Sequence, residues 1–159
     1  MSKQSAVERA ARAAEQFGSA ADAVDAAAAD LFGVNRTDLR ILGAVVERPL
    51  TAGQVAEAVG LSPAAATTAI QRLVARGHLT RDPDPDDRRR AVVELTPSAR
   101  EQAMRIYEPV GAAGVHELQR RTVAELEVIA DFLERGRALQ LEQAERIRGM
   151  ARESGQALP

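Results

Sequence analysis

Around Gly60 the chain stops one helix and starts the next within about three residues, and few folds accommodate so short a junction. The stretch TAGQVAEAVG opens with Thr51 and carries Gln54 three positions on, the pattern of a capping box. Val55, Ala56 and Val59 share one side of the helix that follows, and Gly60 stands where helices commonly end in a left-handed residue. LSPAAATTAIQRLVARG comes next. Ser62 is a good N-cap, and Pro63 suits the first helical position, where its missing N–H has no partner to lose. Ala66, Ala69, Ile70, Leu73 and Val74 make an inner face, and Gly77 closes the helix. Two short helices joined in this way have the spacing of a helix-turn-helix. A further helix precedes them in GVNRTDLRILGAVVERP: Asn35 caps it, Leu39, Leu42 and Val46 share a face, and Pro49 stops it.

HLTRD and AVVEL are short β-prone runs separated by DPDPDDRRR, and they read as a hairpin with Asp82 to Arg90 at its tip. Prolines stiffen such a tip where no ladder hydrogen bond is needed. The predicted fold is therefore mainly α with a small β-hairpin wing, a winged helix-turn-helix. In that geometry the second helix of the pair enters a major groove. Its outward positions are Ser62, Ala64, Ala65, Thr67, Thr68, Gln71 and Arg72. Hydroxyls suit phosphates or base edges, alanine and threonine methyls suit thymine, Gln71 suits adenine, and Arg72 suits phosphate or guanine. A projecting tip brings Arg88, Arg89 and Arg90 towards a minor groove, whose narrow negative channel favours arginine. The acids there are expected to fold back, with Asp87 orienting an arginine.

Long helical patterns flank this centre. From Val7 through Ala10, Ala14, Phe17, Ala21, Val24 and Ala28 to Leu31, apolar residues recur in steps of three and four. Such a stripe packs either within the chain or against a second copy. Thr96 and Pro97 restart helix after the wing, and Pro109, Gly111 and Gly114 are expected to bend or interrupt it. Thr122 and Glu125 form a second capping box, opening a last helix striped by Leu126, Ile129, Ala130 and Leu133 and weakened at Gly136. The tail ESGQALP reads as frayed.

Charge and composition narrow the function. The net charge is −2, but residues 33–100 hold ten Lys and Arg against eight Asp and Glu, a net of +2 between acidic flanks. Catalysis finds little support: there is no cysteine, only His78 and His116, no nucleophile with an evident base, and no phosphate loop around GAAG. Metal-ligand spacing is absent, so neither metal nor other cofactor is expected. No apolar run approaches the ~18 residues of a membrane span, and MSKQSAVERAAR has no hydrophobic signal core, so a cytoplasmic site is the default. Two functions fit the pattern, a double-stranded-DNA-binding regulator and a winged-helix protein-interaction module that does not bind DNA.

NRTDLRIL and PLTAGQVAEAVGLSPAAATTAIQRLVARGHLTRDPDPDDRRRAVVELTPSAR resemble the MarR-type transcriptional regulators, without a gap through the helix end, wing and following strand. The resemblance spans about residues 33–100 and implies a sequence-specific regulator, usually a repressor. It carries the minor-groove role to Arg89 with Arg88 and Arg90 as neighbours, the loop-structuring role to Asp87, and recognition-helix contacts to Ser62, Thr67, Thr68, Gln71 and Arg72. Many members have a basic residue where this chain has Thr68. The resemblance also implies a homodimer on an inverted-repeat operator. Residues 1–32 would form an N-terminal dimerisation helix, 33–100 the DNA-binding lobe, 101–152 the C-terminal helices completing dimerisation, and 153–159 a disordered tail. Many relatives respond to a small aromatic effector, for which Phe17, Phe32, Tyr107 and His116 are candidate lining residues, although core packing is the first expectation for the phenylalanines.

Overall fold

The computed structural model describes residues 2–84, 87 and 90–153, apart from the side chains of 151–153; Arg88, Arg89 and the tail beyond Glu153 lie outside the described residues. The elements run α1 (Lys3–Phe32), α2 (Arg36–Ala44), β1 (Leu50–Thr51), α3 (Ala52–Val59), α4 (Pro63–Ala75), β2 (Leu79–Pro83), β3 (Ala91–Leu95), α5 (Pro97–Leu118) and α6 (Val123–Glu153). They gather into two compact units, residues 1–107 and 108–159, with the boundary inside α5.

In the first unit, local chemistry sets the helix ends. Asn35, Thr51 and Ser62 accept bonds from the backbone N–H groups of Asp38, Gln54 and Ala65, and Thr51 and Gln54 complete the capping box. Gly60 takes φ 69° and Gly77 takes φ 75°, conformations in which a Cβ would crowd the backbone. Each lets the chain close its helix with paired bonds, Leu61 N–H to Ala56 and His78 N–H to Leu73, both at 2.9 Å.

The core is where these elements meet. Ile41, Val45, Val55, Leu73, Leu79 and Val93 are fully enclosed. Burying a side chain of this size contributes ~1.5–3 kcal/mol. Ala28, Ala29 and Phe32 at the end of α1 belong to the same cluster, as does Ala99 at the start of α5. The inner faces expected of α3 and α4 hold, with Val74 only half-buried. In α2 Leu39 and Leu42 are buried as expected, and Val46 is not. The helix ends at Ala44, five residues before Pro49, so Val45 turns inward and Val46 is left 41% exposed.

The wing also departs from a simple hairpin. It is a three-stranded antiparallel sheet in the order β1-β3-β2. β1 adds Leu50 opposite Val93 and Thr51 opposite Val92. The β2–β3 ladder runs from Leu79↔Leu95 to Pro83↔Ala91, so Asp82 and Pro83 are strand residues and not part of the tip. Pro83 is tolerated because β2 lies at the sheet edge.

In the second unit α5 continues through Pro109, Gly111 and Gly114 to Leu118, and α6 continues through Gly136. The expected interruptions do not occur. Proline removes one intrahelical bond, to the carbonyl of Arg105, a small loss on an exposed stretch where a carbonyl can turn to solvent. Thr122 and Glu125 cap α6 reciprocally, and the bonds from Thr122 hold the Glu125 carboxyl below its ordinary range. Val110, Val115, Val128, Phe132 and Leu133 are exposed in this unit. No helix among the described residues is long and apolar enough to cross a membrane.

Candidate nucleic-acid interface

Because Ala66, Ala69, Ile70 and Leu73 turn α4 inward, its opposite face is free. Ser62, Ala64, Thr67, Thr68 and Gln71 are exposed, and Ala65 is half-buried beside them. The hydroxyls of Thr67 and Thr68 donate to the carbonyls of Pro63 and Ala64, at 2.9 and 3.0 Å. With those hydrogens donated to the backbone, the two exposed threonines can offer their oxygens only as acceptors, beside their methyl groups. That surface suits donor groups and thymine methyls on base edges better than it suits phosphate. Ser62 likewise spends its oxygen as a cap acceptor, 3.2 Å from the Ala65 nitrogen.

Arg72 has a partner that the helical pattern alone did not indicate. Its Nε lies 2.9 Å from Asp38 Oδ2 and its Nη2 2.5 Å from Asp38 Oδ1. Asp38 is 1% exposed and Arg72 39%. The hydrogen bond to Asp38 raises the guanidinium pKa, against a smaller opposing effect of burial. The pair uses two of the five N–H donors of this expected DNA contact and leaves both on Nη1 and one on Nη2. One turn on, the Nη1 group of Arg76 donates to the Gly33 carbonyl at the end of α1. Neither Asp38 nor Arg76 stood out in the sequence. Asp38 looked like an ordinary acid in a helix first turn, and the four-residue spacing of Arg72 and Arg76 was the available signal that both lie on one side.

At the wing, Arg90 is exposed, with its Nε 3.5 Å from Asp87 Oδ2. The backbone folds the tip as well: Arg90 N–H donates to Asp87 at 2.8 Å and Asp84 N–H to Arg90 at 3.0 Å. Asp87 thus lies against an arginine, here Arg90.

Of the aromatic candidates, Phe17, Phe32 and Tyr107 belong to the first unit and His116 to the second. Phe32 is in the core, edge-on to His78 with ring centroids 5.7 Å apart. Phe17 is 72% exposed. Tyr107 donates to Asp25 at 3.1 Å, and burial followed by that bond pushes its pKa up to about 12. A shallow pocket of about 330 Å³ in the first unit is lined by Leu31, Ser98, Glu101, Gln102, Arg105 and Ile106, none of them among the four candidates.

Comparison with known proteins adds to this geometry. The profile of the MarR family matches residues 32–90, which contain α2, α3, α4 and the wing tip. The uncharacterized HTH-type transcriptional regulator YcgE of Bacillus subtilis (strain 168) is 30% identical over 123 residues, covering 77% of this chain and 80% of that protein. The chain belongs to the MarR family. MarR-family members are helix-turn-helix transcriptional regulators, so this protein is a DNA-binding regulator and not an enzyme. Its fold is similar to wild-type MarR from E. coli in the apo form, with TM-score 0.55 at 20% identity over 79% of this chain and 94% of that one. It is also similar to a MepR mutant from a multidrug-resistant S. aureus clinical isolate, with TM-score 0.63 at 14% identity over 82% and 96%. These likenesses support the winged helix-turn-helix with long N- and C-terminal helices.

Proposed function

We propose that this MarR-family regulator is a repressor that binds an inverted-repeat operator as a homodimer. Ser62, Ala64, Ala65, Thr67, Thr68 and Gln71 read the major groove, and Arg88, Arg89 and Arg90 reach the flanking minor groove. The observation that carries this reading is the division of α4, one face packed through Ala66, Ala69, Ile70 and Leu73 and the other a row of small and polar side chains, exposed but for the half-buried Ala65. Exposed apolar residues on the terminal helices support self-association, with Val7 and Phe17 on α1 and Phe132 and Leu133 on α6 left uncovered. On this basis residues 1–32 and 101–152 serve dimerisation and 33–100 binds DNA. Release by a small aromatic ligand has its support in the family likeness.

The test is binding of the purified protein to its own upstream duplex over a salt series, with and without phenolic acids. Phosphate contacts release counterions, so the logarithm of affinity should fall linearly with the logarithm of salt. Arg89→Ala should weaken operator binding by roughly 1–3 kcal/mol. Unchanged affinity at physiological salt would remove Arg89 from the interface. Salt-independent or undetectable binding would favour a winged helix that engages protein instead.

A further inference from the structure

Asp38 is the one charged side chain buried in the core among the described residues. Burying a carboxylate is costly, and its attraction to a partner often does no more than offset that cost. Net stability is therefore a weak reason to place the pair there. Geometry suggests another. α4 rests on its neighbours through Ala66 and Ala69, whose methyls interlock poorly, and only Ile70 and Leu73 among its fully buried residues are large. A helix seated on so smooth a face is weakly held against rotation about its axis. The two bonds from Arg72 to Asp38 have fixed directions and join α4 to α2. Arg76 adds a second tie, one turn along, to the Gly33 carbonyl.

We infer that Arg72 and Asp38 are positioning residues for operator recognition: the pair fixes the rotation of α4 on α2, so that Thr67, Thr68 and Gln71 face the groove, and Arg72 is not itself a DNA contact. The inference rests on the groove-reading role of α4 proposed above. It concerns specificity, because a helix turned off its setting still presents positive charge to phosphates but no longer aligns its side chains with base edges.

Operator and unrelated duplexes should be titrated with the full-length wild type, Asp38→Asn and Arg72→Lys across a salt series, at a temperature where melting curves show each protein folded. Asp38→Asn removes a negative charge at a buried position. Simple electrostatics would leave its DNA affinity the same or higher. Positioning requires it to lose operator affinity by roughly tenfold or more, the scale of one or two lost base contacts, with its salt slope and its affinity for unrelated duplex retained. Arg72→Lys should lose as much although it keeps the charge, since an ammonium cannot reproduce the two-point bond. Wild-type operator affinity in Asp38→Asn would overturn the inference. So would an Arg72→Met protein whose salt slope falls by about one on both duplexes, the mark of a lost phosphate contact.

Spin labels at Ala64→Cys and Arg40→Cys give a readout without DNA. The distance distribution should be narrow with Asp38 present and broadened or shifted with Asp38→Asn or Arg72→Lys. An unchanged distribution in both would also overturn the inference. If the wild type binds no duplex, the groove-reading role fails on its own, and the label distances still decide whether the pair orients α4.

Discussion

Single side chains here do work that their type alone does not reveal. Arg72 and Arg90 are both arginines in the first unit, yet one is tied to a buried carboxylate and the other lies exposed beside Asp87. Tyr107 is the chain's only tyrosine, and there is no tryptophan, so its ionisation can be followed in isolation by ultraviolet absorbance. In the folded protein the midpoint should lie near 12, against the ordinary 10.0 once the chain is unfolded in denaturant. The sign for stability follows. The folded state keeps the phenol proton where the unfolded state has lost it, so this contribution is complete below pH 10.0 and is lost as pH rises towards about 12. Partial exposure makes it small. Tyr107→Phe should flatten that part of the stability profile, and a folded-state midpoint near 10.0 would show that neither the burial of the phenol nor its bond to Asp25 persists in solution.

At the scale of elements, Thr51 joins two structures, pairing with Val92 as the last residue of β1 and capping α3. Thr51→Ala should cost about 1 kcal/mol in urea unfolding, in the usual range for a lost N-cap, with faster hydrogen exchange in the first turn of α3. Stability within a few tenths of a kcal/mol of wild type would mean the box contributes little. Such caps were legible in the sequence because Asn35, Thr51, Ser62 and Thr122 act on residues three positions away. The glycine stops and the inner faces of α3 and α4 were legible for the same local reason. β1 was not, since two residues carry no periodicity and Leu50 becomes a strand only by pairing with Val93 on the neighbouring β3. In α2 the face of Leu39 and Leu42 was legible, and Val46 was misplaced because Pro49 marks the latest possible stop and the helix ends earlier. Pro109 misled in the other direction, because proline weakens a helix without obliging it to break. At the site, the outward row of α4 followed from its periodicity, whereas the Asp38–Arg72 bond joins positions 34 apart and no local pattern encodes it.

Over the whole molecule, a net charge of −2 gives little long-range attraction to DNA, so affinity must come from contacts placed by the fold. The end of α1 belongs to the core of the winged helix, while Val7 and Phe17 nearer its start lie exposed. Deleting residues 1–20 should therefore leave a folded but monomeric winged helix that binds operator weakly. Sedimentation equilibrium giving a stable dimer after that deletion would remove the N-terminal part of α1 from the interface. The central claim is that two copies of α4 read successive major grooves. Since the chain has no cysteine, Ala64→Cys carries a single iron chelate per protomer on the outward face of that helix. Cleavage of operator DNA by this conjugate should give two clusters of cuts about 34–36 Å apart along the duplex, one helical turn. A single cluster, or cutting no greater than with unconjugated chelate in solution, would contradict it.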